Sequence, residues 1–129
     1  MFELKRFIAF VAVGLLLIVS RLYPSELARR EDIGKYTAFG ANDRPIEFIS
    51  KASYERLDFE GDDKKAKKFI EDLRAEILFT ETPEGVTIYY CYTRKIPKYK
   101  LVGHVKVNLV VAVSDGGVSV GSPLLKGSY

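Results

Sequence analysis

The sequence predicts an α+β protein: an N-terminal transmembrane helix followed by a two-layer domain, in which one long helix packs on an antiparallel sheet of about five strands. Three observations carry this. Residues 7–19, FIAFVAVGLLLIV, form an uncharged apolar run behind Lys5 and Arg6. Ala66, Phe69, Ile70, Leu73 and Ile77 recur at helical spacing within Asp62 to Phe79, with Lys, Asp and Glu over the remaining surface. Gly103 to Ser114, GHVKVNLVVAVS, sets Val105, Val107, Leu109, Val111 and Val113 against Lys106, Asn108, Val110 and Ala112, the period of two of a strand with one buried face.

The N-terminal run alone spans about 20 Å as a helix, short of a hydrocarbon layer of about 30 Å. Extended from Leu4 to Tyr23 it reaches a spanning length, provided Lys5, Arg6 and Arg21 snorkel to the two interfaces. No small-x-small cleavage pattern follows it, since the next residues are Ser20, Arg21, Leu22, Tyr23 and Pro24. The expectation is a single-pass anchor over residues 1–23 in the cell membrane. The basic N-terminus stays in the cytoplasm and the C-terminal domain is extracytoplasmic. A cleaved, secreted form is the second choice, and a hydrophobic helix packed inside the domain the third.

Residues 24–44 read as a linker or short helix with Ser25 as N-cap, and residues 45–129 as the α+β domain. Ile46 to Phe59 is read as one strand. Asp62 caps the long helix, Asp63 favours its dipole, and Lys64, Lys65, Lys67 and Lys68 form its solvated face. Thr82-Pro83-Glu84-Gly85 is turn chemistry between two strands. In the second of these, Val86, Ile88, Tyr90 and Tyr92 point one way and Thr87, Tyr89, Cys91 and Thr93 the other. Arg94 to Leu101 is a basic connection broken by Pro97, and Asp115-Gly116-Gly117 turns the central strand into a last hairpin. Leu124 and Leu125 tuck onto the core edge.

At 129 residues and a net charge of +3 the chain is one domain with an uneven charge distribution. Residues 91–129 carry six basic side chains and one acidic, against eleven basic and fifteen acidic in residues 26–90. The only cysteine, Cys91, excludes an internal disulfide and a thiolate zinc site. Cys91 with His104, the only histidine, is the one pair of nucleophile and base by residue type, but a thiol amid strand tyrosines behaves as a small hydrophobe. Adjacent acids such as Glu71 and Asp72 diverge on a helix and make no dyad or metal cluster. The glycines of Asp115-Gly116-Gly117 lack the following helix and lysine of a phosphate loop. The sequence therefore implies no catalytic residue, no metal and no cofactor.

Phe39 to Ala41 (FGA), the helical KAKKFIEDL and the closing VNLVVAVSDGGVSVGSPLL resemble the YwmB-like family over about residues 35–125. The resemblance implies a TATA-box-binding-protein-like fold in an extracytoplasmic bacterial protein. It offers no catalytic residue to carry over.

Two binding surfaces are expected. One helix covers one sheet face, leaving Tyr89, Cys91, Val110 and Ala112 on the other as a surface for a protein partner or a second copy of the chain. Arg94, Lys95, Lys98, Lys100 and Lys106, interleaved with Tyr89, Tyr92 and Tyr99, form a surface for an anionic lipid or polymer. Nucleic acid stands last among these partners. The first expectation for function is a non-enzymatic, membrane-anchored extracytoplasmic interaction domain acting through its open sheet face. The alternative is a binding module for an anionic lipid or polymer through Arg94 to Lys106.

Overall fold

A computed structural model describes residues 25–39 and 54–127. The Ser25 hydroxyl oxygen accepts the Ala28 N–H and opens a single 3-10 turn, Ala28–Arg30. Strands β1 (Lys35–Phe39) and β2 (Tyr54–Phe59) precede helix α1 (Asp63–Asp72). Then come β3 (Glu76–Glu81), β4 (Thr87–Tyr92), the short β5 (Lys100–Val102) and β6 (Val105–Val107), β7 (Leu109–Ser114) and β8 (Gly117–Ser122). Six strands form one antiparallel sheet in the order β1-β2-β8-β7-β4-β3, while β5 and β6 pair only with each other.

Residues directly opposed in an antiparallel pair share a face, so the register sorts the core. Tyr89 opposes Val111, Cys91 opposes Leu109, and Val120 opposes both Val111 and Leu57. These side chains with Phe59 and Val118 meet Ala66, Phe69 and Ile70 of α1 and its C-cap Leu73, and Leu27 closes the cluster. On the other face Ile88 opposes Ala112 and Tyr90 opposes Val110. There Val107 and Val102 of the β5–β6 hairpin and Leu124 and Leu125 of the following segment pack over them. Gly121 is what lets that segment approach: a Cβ there would sit 2.3 Å from the Leu125 Cα. Each fully buried aliphatic side chain in these clusters contributes about 1.5–3 kcal/mol.

Helix α1 begins as its caps dictate, with the Asp62 carboxylate accepting the Lys65 N–H at 3.1 Å. It ends far short of Phe79. Arg74 adopts a left-handed φ of 51°, and the N–H groups of Arg74 and Ala75 donate to the carbonyls of Glu71 and Ile70, which is a Schellman stop. Ile77, which continues the helical spacing in the sequence, belongs to β3.

Several expectations are corrected here. The fold is mostly antiparallel sheet with a single short helix, in place of one long helix on a sheet of about five strands. The central run from Gly103 is two strands, because Asn108 interrupts it and β6 turns away to pair with β5. Lys35–Phe39, placed in a linker, is an edge strand of the sheet. Among the described residues no helix is long and apolar enough to cross a membrane. The anchor expected over residues 1–23 lies outside the described residues, as do Gly40, Ala41 and residues 46–53 of the strand expected before α1. A transmembrane helix, a signal anchor and single-pass membrane localisation accordingly have no structural support.

Candidate functional site

Between β4 and β7 the chain makes a basic excursion whose geometry is set by one buried amide. Asn108 is fully buried; its Oδ1 accepts the Thr93 N–H at 2.9 Å, and its Nδ2 donates to the carbonyls of Thr93 and Ile96 at 2.6 and 2.8 Å. The Thr93 hydroxyl donates to the Leu73 carbonyl at the end of α1, 2.6 Å away, and Ile96 enters the helix-side core. Residues 93–96 are thus fixed to both the sheet and the helix.

From that base the β5–β6 hairpin projects on the face opposite α1. Gly103 and His104 have φ of 55° and 69°, the paired left-handed conformations of a two-residue hairpin turn. Val102 and Val107 point into the second cluster, whereas Tyr99, Leu101 and Val105 are 46%, 65% and 38% exposed. Lys106 lies directly across from Leu101.

Against the hairpin lies a groove of about 370 Å³ lined by Tyr54, Pro97, Lys98, Tyr99, Lys100 and Pro123. Lys126 Nζ stands 4.2 Å from the Tyr54 ring centroid with Lys100 Nζ 6.0 Å from the same ring, and Lys106 Nζ is 4.7 Å from the Tyr99 ring. Each such contact holds an ammonium over an aromatic face by about 0.5–1 kcal/mol where water has access. No acidic residue occurs between Glu84 and Asp115. The ion pairs, Arg29–Glu26, Arg30–Asp72, Arg56–Asp58 and Lys67–Asp63, leave Lys100, Lys106 and Lys126 out of any ion pair among the described residues. The result is a cationic, ring-lined groove with no carboxylate in its lining among the described residues.

A second concavity of about 470 Å³ has Arg56, Asp58 and Ser119 on its wall. Arg56 donates to Asp58 and to the Lys126 carbonyl at 2.8 Å, and the Ser119 hydroxyl donates to Asp58 at 2.7 Å. Burial pushes the Asp58 carboxyl up, but the hydrogen bonds from Arg56 and Ser119 and the guanidinium charge outweigh it and hold the carboxyl below its ordinary value. No histidine accompanies this serine, since His104 sits on the hairpin turn. The network ties β2 and β8 to residue 126 and so helps place Lys126 beside the groove.

The residues expected on an open sheet face are not together. Tyr89 and Cys91 are buried beneath α1, and Val110 and Ala112 are buried on the opposite face beneath the hairpin and Leu124–Leu125. The reason is register: a shift of one residue in pairing β4 with β7 moves a whole row of side chains to the other side. Burial pushes the Cys91 thiol up to about 12, and His104 is exposed at the turn, so the two do not form a nucleophile and base. Tyr89 donates a short hydrogen bond to Asp63 at the start of α1; burial and this acceptor raise its hydroxyl to about 12.

Of the expected anion-binding residues, Lys98 and Lys100 line the groove, Lys106 caps the Tyr99 ring, and Arg94 and Lys95 are exposed on the loop that roots the hairpin. Sequence reasoning missed Tyr54, Pro123 and Lys126, which reach the groove only through pairing of β2 with β8. It also missed the exposed Leu101 and Val105. The Gly103-His104 pair between short Val-containing runs is the signal that could have located the hairpin. Among the described residues no group of three or more His, Cys, Asp and Glu side chains could hold a metal ion. No family model matches the chain, and neither does any curated protein or solved structure. What it binds has to be read from its own residues.

Proposed function

We propose that this domain is a binding module for a polyanionic ligand, engaged through the groove between Tyr54, the β5–β6 hairpin and Lys126. One observation carries the reading. Lys98, Lys100 and Lys106 from one stretch of the sequence and Lys126 from another gather beside two tyrosine rings, and among the described residues the lining has no carboxylate. A cluster of this kind gains from every ligand charge it neutralises, and the gain falls as salt rises.

Binding of inorganic polyphosphate to the full-length chain, followed across a salt series, tests the proposal. The expected result is an affinity that drops steeply with salt, with the slope shallower by roughly one for each lysine reversed in a Lys100→Glu/Lys106→Glu variant. Both lysines are exposed, so this variant should fold as the parent does. An affinity unchanged by both substitutions would overturn the reading.

A further inference from the structure

We infer that the polyanion recognised by the hairpin is the anionic surface of a lipid bilayer, with Leu101 and Val105 entering its interfacial layer and Lys98, Lys100 and Lys106 on the headgroups. This deepens the polyanion reading and rests on it. A soluble polyanion asks only for cations and, if it carries bases, for rings. It gives no role to aliphatic side chains held in water, yet Leu101 is the most exposed large hydrophobic residue among those described, at 65%, and Val105, on the opposite face of the hairpin, is 38% exposed. Tyr99, 46% exposed, lies between Lys98 and Lys100, and Lys106 opposes Leu101 across the hairpin. Leu101 and Val105 flank the Gly103-His104 turn on opposite faces of the hairpin, and Lys106, across from Leu101, holds its ammonium over the Tyr99 ring, so aliphatic, amphipathic and cationic groups stand together as they do at a bilayer interface.

The dimensions agree. Three residues of strand rise about 10 Å, and an interfacial element buries its apolar side about 5–10 Å into the boundary of headgroups and chains. Val102 and Val107 fasten the hairpin to the sheet, and its turn has only two residues. Little ordering cost therefore opposes insertion. Helix α1 lies on the other side of the sheet, so a hairpin seated in the interface holds α1 away from it. Each lysine near such a surface is worth about fivefold in affinity.

The test uses the full-length chain with an environment-sensitive fluorophore on a new thiol, either Val105→Cys at the hairpin or Glu71→Cys on α1. The buried Cys91 stays unlabelled under native conditions. With phosphatidylcholine vesicles containing phosphatidylserine, the fluorophore at position 105 should shift to the blue and be quenched by a lipid-borne quencher, while that at 71 should not. Vesicles of phosphatidylcholine alone should give a much smaller response. Leu101→Asn, which leaves the charge unchanged, should weaken partitioning onto the anionic vesicles by about tenfold and leave polyphosphate affinity within about twofold. Lys100→Glu/Lys106→Glu should weaken both. Polyphosphate binding without a shift at 105, equal shifts at 105 and 71, or vesicle binding indifferent to Leu101→Asn would each overturn the lipid assignment while the polyanion reading stands. Single-stranded nucleic acid that binds through Tyr54 and Tyr99 in preference to the vesicles would overturn it as well. Loss of polyphosphate and vesicle binding together would remove both readings.

Discussion

Replacing Asn108 by Ala should cost this domain a large share of its stability. The substitution strands three buried backbone groups: the Thr93 N–H and the carbonyls of Thr93 and Ile96, now 2.9, 2.6 and 2.8 Å from the amide. Each unsatisfied group costs about 1–3 kcal/mol, and a water entering the vacated volume restores part of it. A net loss of about 3–5 kcal/mol is expected, against about 5–15 kcal/mol for a typical domain. In urea that is a midpoint lower by about 2 M. Asn108→Asp tests the same contacts differently. It sets an oxygen against two carbonyl oxygens, which only the protonated acid tolerates. The folded pKa would then lie above the unfolded value of about 3.9. With the folded value raised, that variant is at its most stable below about pH 4 and weakens as pH climbs. Urea midpoints of the parent and both variants, across about pH 4 to 7, decide the matter. A loss under about 1 kcal/mol for Asn108→Ala, or a flat pH profile for Asn108→Asp, would refute the account of the amide as the fastener of the hairpin's base.

Two further perturbations reach the flanks of the site. Gly121→Ala places a Cβ 2.3 Å from the Leu125 Cα and 2.6 Å from the Leu124 carbonyl oxygen, atoms no rotamer change can move. It should cost about 1–3 kcal/mol, speed proteolysis after Pro123 and weaken polyphosphate binding by displacing Lys126; unchanged proteolysis would show that the segment does not depend on this approach. Cys91, raised by burial from 9.0 to about 12, makes the fold alkali-sensitive. Because the folded value lies above the unfolded one, stability is complete below about pH 9 and falls by up to about 1.4 kcal/mol per unit toward pH 12. Tyr89, raised to about 12 by burial and Asp63, adds to the upper part of that fall. Cys91→Ala should flatten the lower part in urea midpoints, and a slope equal to the parent's would contradict the assignment.

The parts of the fold legible in the sequence are those where one residue type dictates one local geometry. Asp62 starts α1, Pro83 to Gly85 joins β3 to β4, and Asp115-Gly116 joins β7 to β8. The alternation in β4 also sorts Ile88 and Tyr90 from Tyr89 and Cys91 as the structure does. The end of α1 was hidden because Arg74, not glycine, takes the left-handed position, and Ile77 happens to prolong the helical spacing. The hairpin was hidden because its strands are short and Pro97 reads as a loop. Asn108 sits at an even position of an apolar run, where nothing distinguishes a solvated amide from a buried one. The groove's own lysines could be listed from sequence, but Tyr54 and Lys126 join them only through the pairing of distant strands.

The strand order carries a consequence for how the molecule is made. β8 lies between β2 and β7, and Glu55 pairs with Ser122 across most of the domain's length. On the ribosome, β1–β2 and β3–β4 can each close as local hairpins, but no hydrogen bond joins the two until residues 117–122 have left the exit tunnel. The nascent chain therefore waits in two halves with the future interior of the sheet open to water, and the last third of the domain is the keystone that decides when it folds.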